Sequence, residues 1–392
     1  MLFVGIDVSK SKHSCYIIDF EGTIYEDNLQ ISNNIKGFNT LSETINSICK
    51  THGLSNVKIG LESTDHYSTN ITNYLHFKGF EVILFNPMIT NSKRKSNTLR
   101  KTKTDKTDAK VIAMMLLTDN SKSYSPISYQ IIELKSLTRF RHRMVNQRSK
   151  LKQSFVRLVT IVFPELSDFV WSLHQKSIQK LLLELPTANN IANCHLTKLT
   201  NLLIKYSQGK YRKDKAIKLK QLAAKSIGSS NRATAFEIQT TINLIHVLDK
   251  EIKVIDQKIK TIVDEINTPL ITIPGISYTL AAIIIAEIGD INRFANPAKL
   301  LAYSGLDPSV YQSGQYNATH TRMVKRGSKY LRWAILQAVK TVAMRDKTFK
   351  DYLNKKLKEG KHYFVALSHA GKKLIRVIFY LLKNNTTFVP QN

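Results

Sequence analysis

Only three cysteines occur in the 392 residues, Cys15, Cys49 and Cys194. A set that is odd in number and widely spaced argues against a disulfide framework or a zinc site and fits a reducing cytoplasm. Long apolar runs are equally scarce. The most apolar stretch, Leu280–Ile288, is interrupted by Glu287 and is far shorter than the roughly 20 residues that span a bilayer. The first residues, LFVGIDV, read as a strand with no signal-peptide pattern, so no membrane partner is expected. Acids are the scarce charge: 29 Asp and Glu stand against 58 Lys and Arg, a formal net charge of +29. Self-repulsion of that size destabilises a compact chain unless a polyanion relieves it, and nucleic acid is the obvious one.

The acids that are present fall in telling places. Residues Lys93–Lys110, KRKSNTLRKTKTDKTDAK, hold Asp105 and Asp108 as their only carboxylates. If Thr104 or Asp105 opens a helix, the two share one face. Such a pair either balances charge or holds a divalent metal beside a phosphate drawn in by Lys93, Arg94, Lys95, Arg100, Lys101 and Lys103. Upstream, the pattern predicts strands over Leu2–Val8, Ser14–Phe20 and Thr23–Ile31, then a helix over Ile35–Lys50. A strand over Val57–Leu61, a helix over Tyr67–Phe77, a strand over Val82–Phe85 stopped by Pro87 and a helix from about Thr104 to Leu117 follow. This is a mixed α/β sheet in the element order of the ribonuclease H-like (RuvC-like) fold. Asp7 lies on the first strand, in GIDVSK, and Glu62 closes the fourth, in LEST. Ligands of open α/β sheets collect near strand ends. Asp7, Glu62, Asp105 and Asp108 could therefore converge as four oxygen donors suited to Mg²⁺ or Mn²⁺. Each is also readable alone as a turn acid, a solvated strand end or a helix N-terminal decoration.

From about Ser128 to Thr268 the chain reads as helical. Leu137, Met144, Leu151 and Leu158 repeat every seven residues, and Ile238, Ile245, Ile252, Ile259 and Ile266 do so again, with Leu248, Ile255 and Ile262 three residues beyond. That is an a/d seam, the mark of a coiled coil. It predicts an oligomerisation arm, an antiparallel hairpin within the chain, or a hairpin that also contacts a partner subunit, the reading preferred here. Arg139, Arg141, Arg143, Arg148, Lys150, Lys152 and Arg157 form either a phosphate-tracking face or an ordinary solvated one. Residues 165–230 read as a basic, helical insertion.

Pro269 ends the arm, and IPGIS (Ile273–Ser277) precedes an apolar helix. Its turn either offers backbone N–H groups to a phosphate or packs on a core. Further on, Tyr311-Gln312-Ser313-Gly314 lies in an extended stretch before RMVKRGSK, with Arg322, Lys325, Arg326 and Lys329. A serine beside such cations could attack a phosphodiester, yet no histidine triad is legible to activate it.

GIDVSK, LEST and KTDKTDA resemble the DEDD site of the "IS one-ten" insertion-sequence transposases, relatives of the Piv-type DNA invertases. IPGIS, the run from Arg293 to Gly314 (RF-x5-L-x2-YSGLDPSVYQSG) and KRGSKYLR resemble the same family's second domain. The resemblance implies a RuvC-like DEDD domain over 1–122, a helical coiled-coil arm over 128–268 and a mainly α transposase domain over 269–392. It implies that Asp7, Glu62, Asp105 and Asp108 bind Mg²⁺ and that Ser313 attacks DNA to form a phosphoserine link. It further implies donor and target DNA as substrates, a non-coding bridge RNA as guide, and work as a homo-oligomer (dimer or tetramer) in the cytoplasm at the nucleoid. Chain departures are Ser63-Thr64-Asp65-His66, where many relatives carry a small-residue run, and the stretch 165–230. Two other readings remain at this point: a RuvC-like nuclease that hydrolyses branched DNA, and a non-catalytic nucleic-acid-binding protein.

Overall fold

A computed structural model describes residues 1–63, 67–97, 104–118, 128–229, 231–309, 312–313, 316–317 and 322–390. Arg100, Lys101 and Lys103 lie outside this set, as do the side chains of residues 310–321, Ser313 among them. The chain divides into two compact units, 1–127 and 128–392.

The first unit follows the predicted order to within two residues at most boundaries. Strands β1 (Leu2–Val8), β2 (Lys12–Asp19) and β3 (Ile24–Ser32) precede helix α1 (Ile35–His52), β4 (Val57–Glu62), α2 (Tyr67–Phe77) and β5 (Glu81–Phe85). Two helices follow, α3 (Pro87–Asn97) and α4 (Asp105–Thr118). The sheet order is β3-β2-β1-β4-β5; β1 pairs antiparallel with β2 and parallel with β4. Helix α3 is the one element the pattern reading missed. Pro87 does more than stop β5. Its fixed φ suits the first position of a helix, where no N–H is needed, and the Asn86 side chain accepts the Met88 N–H at 2.9 Å.

Strand alternation sorts the sheet's two faces. Leu2, Val4, Ile6 and Val8 of β1, with Ile59 and Leu61 of β4, join the core under α1 and α2. Phe3 faces the other way and packs with Ala109, Ile112, Ala113 and Leu116 of α4. Gly5 and Gly60 share that second face and leave room for α4: a methyl on Gly5 would overlap the backbones of Ala109 and Ala113, and one on Gly60 would lie 2.9 Å from the Phe85 ring. Gly5→Ala is therefore expected to push α4 off β1 and destabilise the unit by at least about 1–3 kcal/mol, the usual range for overpacking. Urea unfolding of the wild type and Gly5→Ala checks this; coincident transitions would mean that α4 does not seat on that glycine.

The second unit is helical. Long helices α5 (Tyr129–Val162) and α11 (Arg232–Ile266) enclose five short ones, α6 (Leu166–Phe169), α7 (Lys176–Glu184), α8 (Ala188–Asn193), α9 (Leu196–Ser207) and α10 (Lys213–Ala224). After α11 come α12 (Tyr278–Ile288), α13 (Pro297–Ser304), α14 (Lys329–Arg345), α15 (Lys347–Lys358) and α16 (Tyr363–Asn384). Helices α5 and α11 run antiparallel, since Gln130 meets Glu265, Arg141 meets Asp256, Arg148 meets Asp249 and Arg157 meets Glu237. The antiparallel hairpin within the chain is observed. Its isoleucine seam is divided between two cores. Ile238, Ile242 and Ile245 pack with α7–α10, whereas Ile255, Ile259 and Ile262 pack with α12, α14 and α16. Among the described residues no helix is long and apolar enough to cross a membrane.

Candidate active site

Four acids singled out from sequence line one cleft of about 440 Å³ in the first unit: Asp7, Glu62, Asp105 and Asp108, with Ser9, Pro87, Thr90, Asn91 and Arg94. The fold explains the convergence. Asp7 lies two residues beyond Gly5, and Glu62 two beyond Gly60, so both point to the face that carries α4. Strands β1 and β4 are parallel and end together. Helix α4 crosses back over them, and its first turn, with Asp105 and Asp108, comes to that same end. The partial positive charge of a helix N-terminus favours acids there.

Helix α3 supplies the opposite wall through Pro87, Thr90, Asn91 and Arg94, at helical spacing i, i+3, i+4 and i+7. The buried Thr90 hydroxyl donates to Glu62 Oε2 at 2.7 Å. Arg94 Nη1 donates to both oxygens of Asp108, at 3.0 and 3.1 Å, and Nη2 donates to Asn91 Oδ1 at 2.7 Å. Thr90 and Asn91 were not among the expected site residues. Their signal was the 87/90/91/94 spacing, obscured because the flanking KRK reads as part of a basic tract. Lys93 and Lys95, on the same helix, are exposed. The donor chemistry of the cleft fits a hard divalent cation, since all four carboxylates offer oxygen only. Among the described residues, no three acidic, histidine or cysteine side chains are grouped tightly enough to share an ion as they stand, and Asp108 is engaged by a guanidinium instead.

In the second unit the segment that carries Ser313 springs from a pinned base. Ser309 N–H donates to the Arg322 carbonyl at 2.8 Å and Val324 N–H to the Asp307 carbonyl at 2.9 Å, while Pro308 and Met323 form a β-bridge. Above this base, β6 (Gln312–Ser313) pairs antiparallel with β7 (Tyr316–Asn317), Ser313 opposite Tyr316. Lys325, Arg326 and Arg322 are on this base, and Lys329 opens α14. Ser328 N–H donates to the Tyr303 carbonyl at 2.9 Å, and the Ser328 hydroxyl donates to the buried Glu287 at 2.8 Å. Gly275, in IPGIS, has φ +97° and would press a Cβ into the backbone of Thr341, so that turn packs on α14.

Several arm arginines spend their charge inside the unit. Arg139 grips Glu287 through two bonds of 2.8 and 3.1 Å, Arg141 grips Asp256 through two of 2.5 and 3.2 Å, and Arg148 reaches Asp249 at 2.6 Å. Arg143 lies over the Phe140 ring. The acidic partners of Arg139, Arg141 and Arg148 are 101 to 148 residues away in sequence, which is why the helix read alone resembled a cationic face.

Comparison with known proteins converges on one family. Residues 4–164 match a family model described as a transposase, that of the DEDD domain of IS110 elements, and residues 267–354 match one described as "Transposase IS116/IS110/IS902 family". The chain is 24% identical over 397 residues to the insertion element IS116 uncharacterized 44.8 kDa protein of Streptomyces clavuligerus, covering 99% of this chain and 96% of that one. It is 27% identical over 123 residues to the insertion element IS110 uncharacterized 43.6 kDa protein of Streptomyces coelicolor, which spans 31% and 30% of the two chains. The longer alignment also runs across 165–230, which lies within the stretch 165–266 between the two family models. With both models matched in order and a relative aligned from end to end, the chain belongs to the IS110 family of insertion-sequence transposases.

Proposed function

We propose that this transposase cuts and rejoins DNA through a covalent link to Ser313, with a divalent cation, Mg²⁺ or Mn²⁺, held by Asp7, Glu62, Asp105 and Asp108. The observation that carries the reading is the meeting of those four carboxylates in one cleft, from two strand ends and one helix start. Such a cation would supply charge neutralisation at the scissile phosphate and at the departing oxygen. The chain's own part is as follows. Ser313 Oγ attacks phosphorus, a Ser–O–P bond forms as the P–O3′ bond breaks, and the serine proton is passed to the 3′-oxygen that leaves. Because the phosphodiester is exchanged and not hydrolysed, its energy is kept for rejoining when a 3′-hydroxyl attacks in turn. Arg322, Lys325, Arg326 and Lys329, on the base below Ser313 and at the start of α14, supply cations for the flanking phosphates. Sequence choice is assigned to base pairing with a non-coding bridge RNA, consistent with the lack of any legible base-reading motif in the sequence and with the net charge of +29. Assembly of several copies brings the two kinds of catalytic group together on DNA.

The test is to incubate the purified chain with Mg²⁺, labelled DNA bearing the element's end junction and RNA from the flanking non-coding region, then stop with denaturant. Protein-linked DNA whose modified peptide maps by mass spectrometry to Ser313 is the expected result. Free cleaved ends with no adduct at any time point would move the assignment to a hydrolytic RuvC-like nuclease.

A further inference from the structure

We infer that Arg94 is a counter-ion of the acidic cleft that competes with a divalent cation for Asp108, and that it leaves Asp108 for a DNA phosphate when such a cation binds. The inference rests on the metal-binding reading of the cleft proposed above.

Four carboxylates around one cleft repel one another and attract any cation within reach. Among the described residues lining the cleft, Arg94 carries the one positive charge. Its guanidinium does not point to solvent; a single nitrogen, Nη1, sits between both oxygens of Asp108. The Asp108 side chain is 13% exposed and that of Arg94 24%, so solvent screens this pair less than an ordinary surface bridge. Asn91, one turn back on α3, accepts from Nη2 and aims the fork. Asp105, at the open end of the same helix turn, is exposed, and Glu62 is held by Thr90. Both oxygens of Asp108 are taken up by a protein cation.

That placement makes arginine and metal competitors. A divalent ion drawing on Asp108 needs one of the oxygens that Nη1 now engages, and two cations at one carboxylate repel each other. The displaced guanidinium is not wasted. Its planar fork matches the paired oxygens of a phosphodiester, and α3 presents exposed Lys93 and Lys95 beside it. Arg94 therefore couples the arrival of the metal to a tighter hold on DNA, and in the absence of metal it keeps the acids from repelling both each other and the substrate.

The test is Mn²⁺ binding to the full-length protein without nucleic acid, followed by the loss of the free-ion electron paramagnetic resonance signal. Wild type, Arg94→Gln, Arg94→Lys and Asp7→Asn are compared, with circular dichroism to confirm that each is folded. Removal of the competing charge in Arg94→Gln is expected to tighten Mn²⁺ binding by on the order of tenfold, whereas Arg94→Lys, which keeps the charge, stays near the wild type. A second readout is DNA affinity: Mn²⁺ strengthens it in the wild type and does so less in Arg94→Gln. Equal Mn²⁺ affinity in wild type and Arg94→Gln, with loss in Asp7→Asn, would overturn the role of Arg94 and leave the cleft a metal site. Weaker binding in Arg94→Gln would also overturn it, reducing Arg94 to a prop for Asp108. No binding to any of the four would remove the metal-binding reading together with the inference.

Discussion

Asp7→Asn is expected to lower the rate of DNA strand cleavage by about a thousandfold or more and to leave the fold as it is. Asparagine keeps the size and one oxygen of aspartate, so β1 and its contacts with α4 are preserved. What goes is the negative charge that a bound cation would meet at the end of the strand. A thousandfold loss corresponds to about 4 kcal/mol of transition-state stabilisation, well within what a metal ion can supply at a scissile phosphate. Glu62→Gln, Asp105→Asn and Asp108→Asn are expected to fall in the same direction. Because the four lie on one cleft and serve one unit, their losses should not multiply: Asp7→Asn/Glu62→Gln should be little slower than the worse single variant. DNA binding, measured in parallel, should change far less, since phosphate affinity comes from lysines and arginines. Single-turnover cleavage of an end-junction substrate decides the matter. An Asp7→Asn protein that cuts within tenfold of the wild type would mean that these acids only balance charge in a basic tract.

Much of this site was legible in the sequence, for a physical reason. Each acid sits at a point where local pattern fixes direction: Asp7 at the end of an alternating strand, Glu62 at the end of another, Asp105 and Asp108 in the first turn of a helix. Period-2 and period-3.6 arguments need only near neighbours. What stayed hidden depends on distant partners. Nothing local tells that Arg94 will lie on Asp108 and not on a phosphate, because α3 itself was masked by the basic residues around it. The arginines of α5 show the same limit more sharply. Read alone, Arg139, Arg141 and Arg148 made a cationic stripe; folded, they face Glu287, Asp256 and Asp249. The heptad seam behaves alike. Its period foretold a long helix with one apolar edge, but the choice between a hairpin and an arm depended on α5, about a hundred residues earlier, offering arginines in antiparallel order to the acids of α11.

Glu287→Leu is expected to destabilise the second unit by about 3 kcal/mol, and Glu287→Gln by a smaller amount. Glu287, on α12, is 1% exposed, where an uncompensated charge is not tolerated. Burial alone would push its carboxyl up, but the paired hydrogen bonds and charge of Arg139, the Ser328 hydroxyl and nearby Lys135 outweigh it and hold the group below the usual carboxylate range. Removing one partner of a buried pair typically costs about 3–5 kcal/mol. Arg139 keeps 39% of its side chain exposed, so water takes up part of the loss and the lower end of that range applies. The pH dependence carries a definite sign. With its folded pKa depressed, Glu287 contributes its full stabilisation above the unfolded value, about 4.3, and loses it as pH falls through the folded value. The gap in urea midpoint between wild type and Glu287→Gln should therefore be widest at neutral pH and close under acid. A gap that stayed constant down to acid pH would show that the charge of Glu287 is not what stabilises the unit. The consequence reaches beyond stability. Ser328 caps α14, its N–H holds Tyr303, and through them the base of the Ser313 hairpin is tied to α12 and to Arg139 on α5. Loosening Glu287 should thus slow formation of the proposed Ser313–DNA adduct even under conditions where the protein remains folded, and a Glu287→Gln protein with wild-type adduct kinetics would confine this network to a purely structural role.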